Sequence, residues 1–389
     1  MRVKISDIAL LNAKSFVFSG HRTIKYIDTG SVTEGIFSDI QILNTKTDSI
    51  PSRAKRGVNN NTIIVSTVRP YLKHFGIINF VPDDIVVSTG FVTIDAIPEK
   101  VDSQYLYYIL TSPLVTNYLI SISSTAVSSY PSFNPDDLGV FEVDIPESVE
   151  EQARIAQVLK SLDSKISNNS SICSDFESMA KLLYDYWFVQ FDFPDENGKP
   201  YKSSGGKMVW NEELKREIPE GWEVKHASDL TKVRTGKEDA NFATPNGKYA
   251  YFTCGQDVLR CDVPVFEGRA ILLAGNGDFN VKHYSGKFNA YQRTYVLIPY
   301  ESKYYALLYM ATKETIARFK RGASGSIEKF ITLGDVNSIV LLDPKNDSIL
   351  ESFNLIIEKI EQIYSENQQL SSLRDFLLPL LMNGQVKVG

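Results

Sequence analysis

From Ser49 to Pro82 the chain carries Arg53, Lys55, Arg56, Arg69 and Lys73 without a single acid, and His74 follows the last of them. Any one of these could be ordinary solvated charge, but five cations over 34 residues with no counter-charge suit a surface that holds phosphate oxygens. A second collection lies further on. Lys282, His283, Lys287 and Arg293 are followed by Lys320, Arg321 and Lys329 around the polar loop RGASGSIE (Arg321 to Glu328). Tyr249 and Tyr251 could either pack in a strand or stack on a base.

The net charge of -6 speaks against a polyanionic partner only until it is located. Residues 147 to 196 hold ten acids and four bases, and residues 343 to 375 hold seven acids and three bases. Those two segments carry -10, which leaves +4 on the remainder. Basic blocks therefore alternate with acidic ones.

Catalytic constellations are missing. There is no phosphate loop of P-loop spacing, no Asn-Pro-Pro-aromatic or Asp-Pro-Pro-Tyr motif of methyl transfer, and His21, His74, His226 and His283 share no metal spacing. One formal nuclease pattern, Pro194-Asp195 with Glu213-Leu214-Lys215, spans a turn-rich linker without strand patterning. It remains the weakest of the alternatives. Cys173, Cys254 and Cys261 are too few and too irregular for a disulfide framework or a zinc ribbon, so they are expected to be reduced packing residues.

What positions the basic blocks is a long helix that occurs twice. From Ile155 the seam Leu159, Leu162, Ile166, Asn169, Cys173, Phe176, Ala180 and Leu183 alternates spacings of four and three, the pattern of a helix that pairs with another. At a shift of 198 residues and without a gap, Pro146 falls on Pro344, Ile155 on Phe353, Leu159 on Ile357, Leu162 on Ile360, Asn169 on Asn367 and Leu183 on Leu381. Ser148 with Glu151, and Ser348 with Glu351, read as the reciprocal caps of the two helices. An antiparallel pairing would set Asn169 and Asn367 at equivalent seam positions, where they could meet at the axis and fix register, unless either turns to the wet edge of the seam.

The expected order is globule, helix, globule, helix. In the first block Thr62 to Val68 and Asp84 to Ile97 read as strands, Gln104 to Leu119 as a helix, Ser121 to Pro135 as a polar loop and Leu138 to Ile145 as a last strand. In the second block Trp222 to Leu230 echoes Val3 to Ile8. There Ala270 to Ala274 and Tyr291 to Ile298 are the strands and Tyr304 to Phe319 the helix. The fold class is thus α+β with a pseudo-twofold internal repeat. Its divisions are a first globule at 1–146, a first helix at 147–190, a linker at 191–217, a second globule at 218–344, and a second helix with its tail at 345–389. In the aromatic run YDYWFVQFDF, Tyr186, Trp187 and Phe191 are expected to pack against the base of the first helix or against a partner. The start MRVKISDIAL is unlike a signal or transit peptide and no apolar run approaches bilayer length, which gives a cytoplasmic expectation with no membrane partner.

Several stretches resemble the specificity subunits of type I restriction-modification systems. They are IPESVEEQARIAQVLKSLDSKI (Ile145 to Ile166), LRDFLLPLLMNGQVKV (Leu373 to Val388), IKYIDTGSV (Ile24 to Val32), STVRPYLK (Ser66 to Lys73) and IPEGWEV (Ile218 to Val224). The chain departs from the family in lacking a Pro-Glu-Gly-Trp entrance before its first block. The resemblance implies two target-recognition domains joined by two long helices that form an antiparallel coiled coil. It implies a non-catalytic subunit whose domains each read one half of a bipartite site in double-stranded DNA. The helices would set the spacer and dock two methyltransferase subunits, with restriction subunits joining the full complex. S-adenosylmethionine, ATP and magnesium would then be held by the partners, and no cofactor or metal by this chain. It also puts Ser124, Ser128 and Tyr130, and likewise Ser324 and Ser326, in loops that approach DNA. The rival readings are an orphan or decoy coiled-coil adaptor of the same architecture, and the metal-dependent nuclease.

Overall fold

The computed structural model describes residues 1–79, 83–124, 131–277, 279–321 and 330–388, with Arg321 described by its backbone alone. Two compact units make up the chain: Met1–Ser167 with Gln368–Gly389, and Asn168–Asn367. Each contains one globule and a part of both long helices.

The helices are continuous over Val149–Tyr184 and Asp347–Met382, 36 residues apiece. All nine seam positions of the first helix are buried or half-buried, as the spacing requires. Within unit 1, Leu381 joins the core of Ile155, Ala156 and Leu159, and Arg374 Nη1 donates to Asp163 at 3.0 Å. Within unit 2, Asn169 reaches Glu366 and the Tyr184 ring lies 6.3 Å from that of Phe353. Rising numbers on one helix meet falling numbers on the other, so in each unit the pairing is antiparallel.

The starts of the helices differ from the paired Ser/Glu expectation. Ser148 does accept from the Glu151 amide at 3.3 Å, but its hydroxyl donates to Glu150, and the second helix is capped by Asn346, which accepts from the Ser348 amide at 3.0 Å. Asn competes well with Ser as a cap, and here it stands two residues earlier. The first helix ends in a π turn over Asp185–Val189. That turn buries Phe188, Phe191 and Phe193 against Trp222, while Tyr186 points outwards.

In unit 1, Arg2–Lys4 pairs antiparallel with Glu142–Asp144, which closes the globule just before the long helix. One four-stranded sheet runs Gln41–Asn44, Thr23–Ile27, Ile85–Ser88, Ala54–Arg56, and another Ala9–Leu11, Phe91–Ala96, Thr62–Ser66, Phe75–Ile78. The stretch expected as one strand over 84–97 is therefore two strands in different sheets, broken by the turn at Thr89–Gly90. The expected single helix is also two, Ser103–Leu110 and Pro113–Ser124, because Pro113 cannot donate to a continuing ladder.

Unit 2 repeats the closure with Glu223–His226 against Val340–Asp343. Its main sheet has six strands in the order Arg234–Thr235, Thr294–Leu297, Phe266–Ala274, Val281–Ala290, Tyr249–Phe252, Val258–Cys261. Opposed glycines, Gly268 and Gly286, lie at φ +132° and +136° within the long hairpin.

Buried amides tie each globule to its helix. Gln152 accepts from the Asp102 amide at 2.9 Å and donates to Pro146 O at 2.8 Å. Asn354 accepts from the Ala306 amide at 2.9 Å and donates to Lys303 O. In both units the amide fixes the start of a domain helix, Ser103–Leu110 or Tyr305–Arg321, against the long one.

Candidate nucleic-acid interface

In unit 1 a chain of backbone hydrogen bonds gathers loops from four parts of the sequence. The Thr89 amide donates to Arg53 O (2.9 Å), Thr67 to Gly90 O (2.9 Å), Arg69 to Pro131 O (2.8 Å) and Phe133 to Thr67 O (3.1 Å). Arg53 is thereby brought into one cluster with the corner at Arg69–Lys73, against which the Pro113–Ser124 helix packs. Arg53 and Lys55 are exposed. Arg56, on the same strand, is half-buried, and burial pulls its guanidinium below the ordinary value.

The corner itself is strained. Arg69 and Lys73 both adopt left-handed backbone, at φ 50° and 54°, on either side of a short 3-10 turn over Pro70–Leu72. Lys73 is ion-paired with Glu34 at 2.6 Å, both half exposed. His74 lies beneath, its Nδ1 2.7 Å from Val32 O; the carbonyl can only accept, so that nitrogen carries the proton. Ser124 folds its hydroxyl back onto Ser121 O. Tyr71 and Leu72 are 52% and 41% exposed at the tip. Reading for charge alone passed over these two.

Unit 2 builds the same cluster from different residues. The Gly275 amide donates to Arg293 O at 2.8 Å and the Ile331 amide to Gly275 O at 2.9 Å, so Ile331 and Phe133, 198 apart, play one role. Gly275 has no substitute here, since a Cβ would meet Arg293 O at 2.7 Å and the Tyr295 ring at 2.9 Å. Asn280 donates to Cys254 O, and Lys282 to Gly255 O. Phe279 sits edge-on to Phe319 at 5.3 Å, which places the end of the Tyr305–Arg321 helix, with exposed Lys320, beside the same corner. Lys282, Arg293, Lys320 and the backbone of Arg321 are thus brought together. Ser128, Tyr130, Ser324, Ser326 and Lys329 lie outside the described residues.

Two expected contacts are corrected. Tyr251 is fully buried and its hydroxyl donates to Asp239 O, with burial first and then Glu238 and Asp239 pushing its pKa up to about 12. It is a core residue. His283 alternates with Lys282 along the strand and so faces the opposite way, where Nδ1 lies 3.5 Å from Glu361 and the ring meets Tyr309 and Tyr364 edge-on. Lys287 is exposed on the same strand, opposite Glu267 and 3.9 Å from its carboxylate. Tyr249 is half-buried beneath Lys248.

The inward face has its own electrostatics. Arg269 Nε donates to both oxygens of Glu361, at 2.9 and 3.1 Å, and its guanidinium lies 3.9 Å over the Tyr305 ring. Burial opposes ionisation of Glu361, but the bonds from His283 and Arg269 outweigh it and hold the carboxyl below its usual range. In unit 1 the residue 198 earlier, Asp163, accepts from Tyr108 at 2.7 Å and from Arg374. On the helix seam, Asn169 is buried and donates to Glu366 at 2.8 Å, while half-buried Asn367 donates to Ser170 at 3.3 Å.

The components of the nuclease pattern are engaged separately: Asp195 by the amides of Asn197 and Lys199, Glu213 by His226, Lys215 by Glu212. Among the described residues no group of three His, Cys, Asp or Glu could hold a metal ion, and no helix is long and apolar enough to cross a membrane.

Residues 1–172 and 219–339 match the family described as the type I restriction modification DNA specificity domain. The specificity subunit of the type I restriction enzyme HindI from Haemophilus influenzae is 22% identical over 98% of each chain. That of MjaIX from Methanocaldococcus jannaschii is 27% identical over 84% of this chain and 78% of its own. The EcoDI specificity subunit of Escherichia coli is 34% identical over 176 residues, and the match spans only 39% of its length. Among solved structures, a type I restriction-modification S subunit from M. genitalium aligns over 98% of this chain and 95% of its own, with a TM-score of 0.57 at 18% identity. That is a likeness of fold.

Proposed function

Because the chain belongs to the type I restriction modification DNA specificity family, we propose that it is the non-catalytic, cytoplasmic subunit that reads the DNA target of such a complex, each globule recognising one half of a bipartite site. The observation that carries this reading is the twice-built loop cluster. Two globules with different side chains raise Arg53 and Arg69, or Lys282, Arg293 and Lys320, on equivalent backbone scaffolds. Cations there would hold phosphates while neighbouring loop residues meet base edges. The acidic long helices repel phosphate and suit protein partners, two methyltransferase subunits with restriction subunits beyond them. S-adenosylmethionine, ATP and magnesium would be bound by those partners.

The test is methylome sequencing of the host with the gene present and deleted. A split motif whose methylation vanishes on deletion is expected, and exchange of residues 218 to 344 for those of a relative should change one half only. An unaltered methylome refutes the reading. If the chain were an adaptor or decoy instead, the assembled complex would show DNA binding that is absent or insensitive to salt.

A further inference from the structure

We infer that the Arg69–Lys73 corner is the base-contacting wedge of unit 1, with the Tyr71 ring packing against a base step in the groove of the duplex. This rests on the DNA-reading function proposed above.

Two non-glycine residues, Arg69 and Lys73, are held at positive φ, a conformation that costs energy at each. The corner is braced on one side by the Arg69 amide on Pro131 O, and on the other by the Glu34 amide on Lys73 O at 2.9 Å and the Lys73–Glu34 ion pair. The outcome of that bracing is that two adjacent apolar side chains, Tyr71 and Leu72, stand out to solvent between two cations. Apolar side chains inserted at a base step beside phosphate-holding Arg or Lys are a recurrent way of reading DNA. Tyrosine can lay a flat ring on the step, and its two-torsion side chain loses little freedom in doing so. In unit 2 the aromatic at the equivalent corner, Phe279, turns inward onto Phe319.

The test replaces Tyr71 with Ala and with Phe in the full chain expressed in its host, and reads methylation at every site. For Tyr71→Ala the expected result is a loss of about tenfold in methylation at limiting complex, or relaxed bases in one half of the motif, with the other half kept. Tyr71→Phe, which keeps the ring, should stay near wild type. Complex assembly and melting temperature should be unmoved in both, since the side chain is half exposed. Wild-type methylation by Tyr71→Ala overturns the inference, and so does a loss of assembly or melting temperature, which would make the corner a structural brace. A methylome that survives deletion of the gene sinks the DNA-reading function itself.

Discussion

Truncating Glu361 should loosen the sheet of unit 2 from the second long helix. The carboxylate is 17% exposed and accepts both Arg269 bonds, with Arg269 at 21% and His283 at 11% exposure. In Glu361→Ala the guanidinium stays packed over Tyr305 with only Glu358 in reach, 3.4 Å away and 46% exposed. Leaving one member of a fully buried pair costs about 3–5 kcal/mol, and the surviving Glu358 and ring contacts bring the cost here to about 2 kcal/mol. For a unit of this size that is a fall in melting temperature of about 4–8 °C. Calorimetry of the full chain reads it, and hydrogen exchange in Phe266–Ala274 and Val281–Ala290 assigns it to unit 2. Arg269→Met with Glu361→Leu together should cost less than the sum of the two single changes, because no buried charge is stranded. A shift below about 1 °C for Glu361→Ala, or strict additivity in the double variant, refutes the reasoning.

The same carboxyl makes stability depend on acid. Its folded pKa lies below the ordinary 4.5, so its contribution is full above that value and is lost as pH falls through the lower folded value; melting curves of wild type and Glu361→Gln should converge in that acid window. On the seam, Asn169 is buried and donates to Glu366, so Asn169→Leu should lower the melting temperature by a few degrees, because it takes a partner from a half-buried carboxylate, and thermal unfolding of the variant checks the sign.

The long helices were legible because their signal is periodic from Ile155 to Leu183 and occurs twice, so Ile155, Leu159 and Cys173 announce their burial without help from neighbours. The loop clusters were legible only as charge. Arg53, Arg69 and Lys282 stood out as cations, but whether a cation reaches a given face depends on strand phase. Nothing in VKHYSGKFNA alternates cleanly enough to show that Lys282 and His283 point opposite ways. Tyr251 was ambiguous for the same reason, because a strand with three buried residues in four has no wet side to read. Tyr71 was missed because its exposure depends on left-handed backbone at Arg69 and Lys73, a conformation that nothing in these residue types requires.

The nesting of the two units has a consequence for how the protein is made. Unit 1 contains Arg374 and Leu381, whose partners Asp163 and Leu159 leave the ribosome about two hundred residues earlier, whereas the sequence of unit 2 is contiguous. Domains usually mature in order of synthesis. Here the first globule translated must wait with its helix seam uncovered, while the second can close as soon as it emerges, so the last stretch to be translated finishes the part begun first.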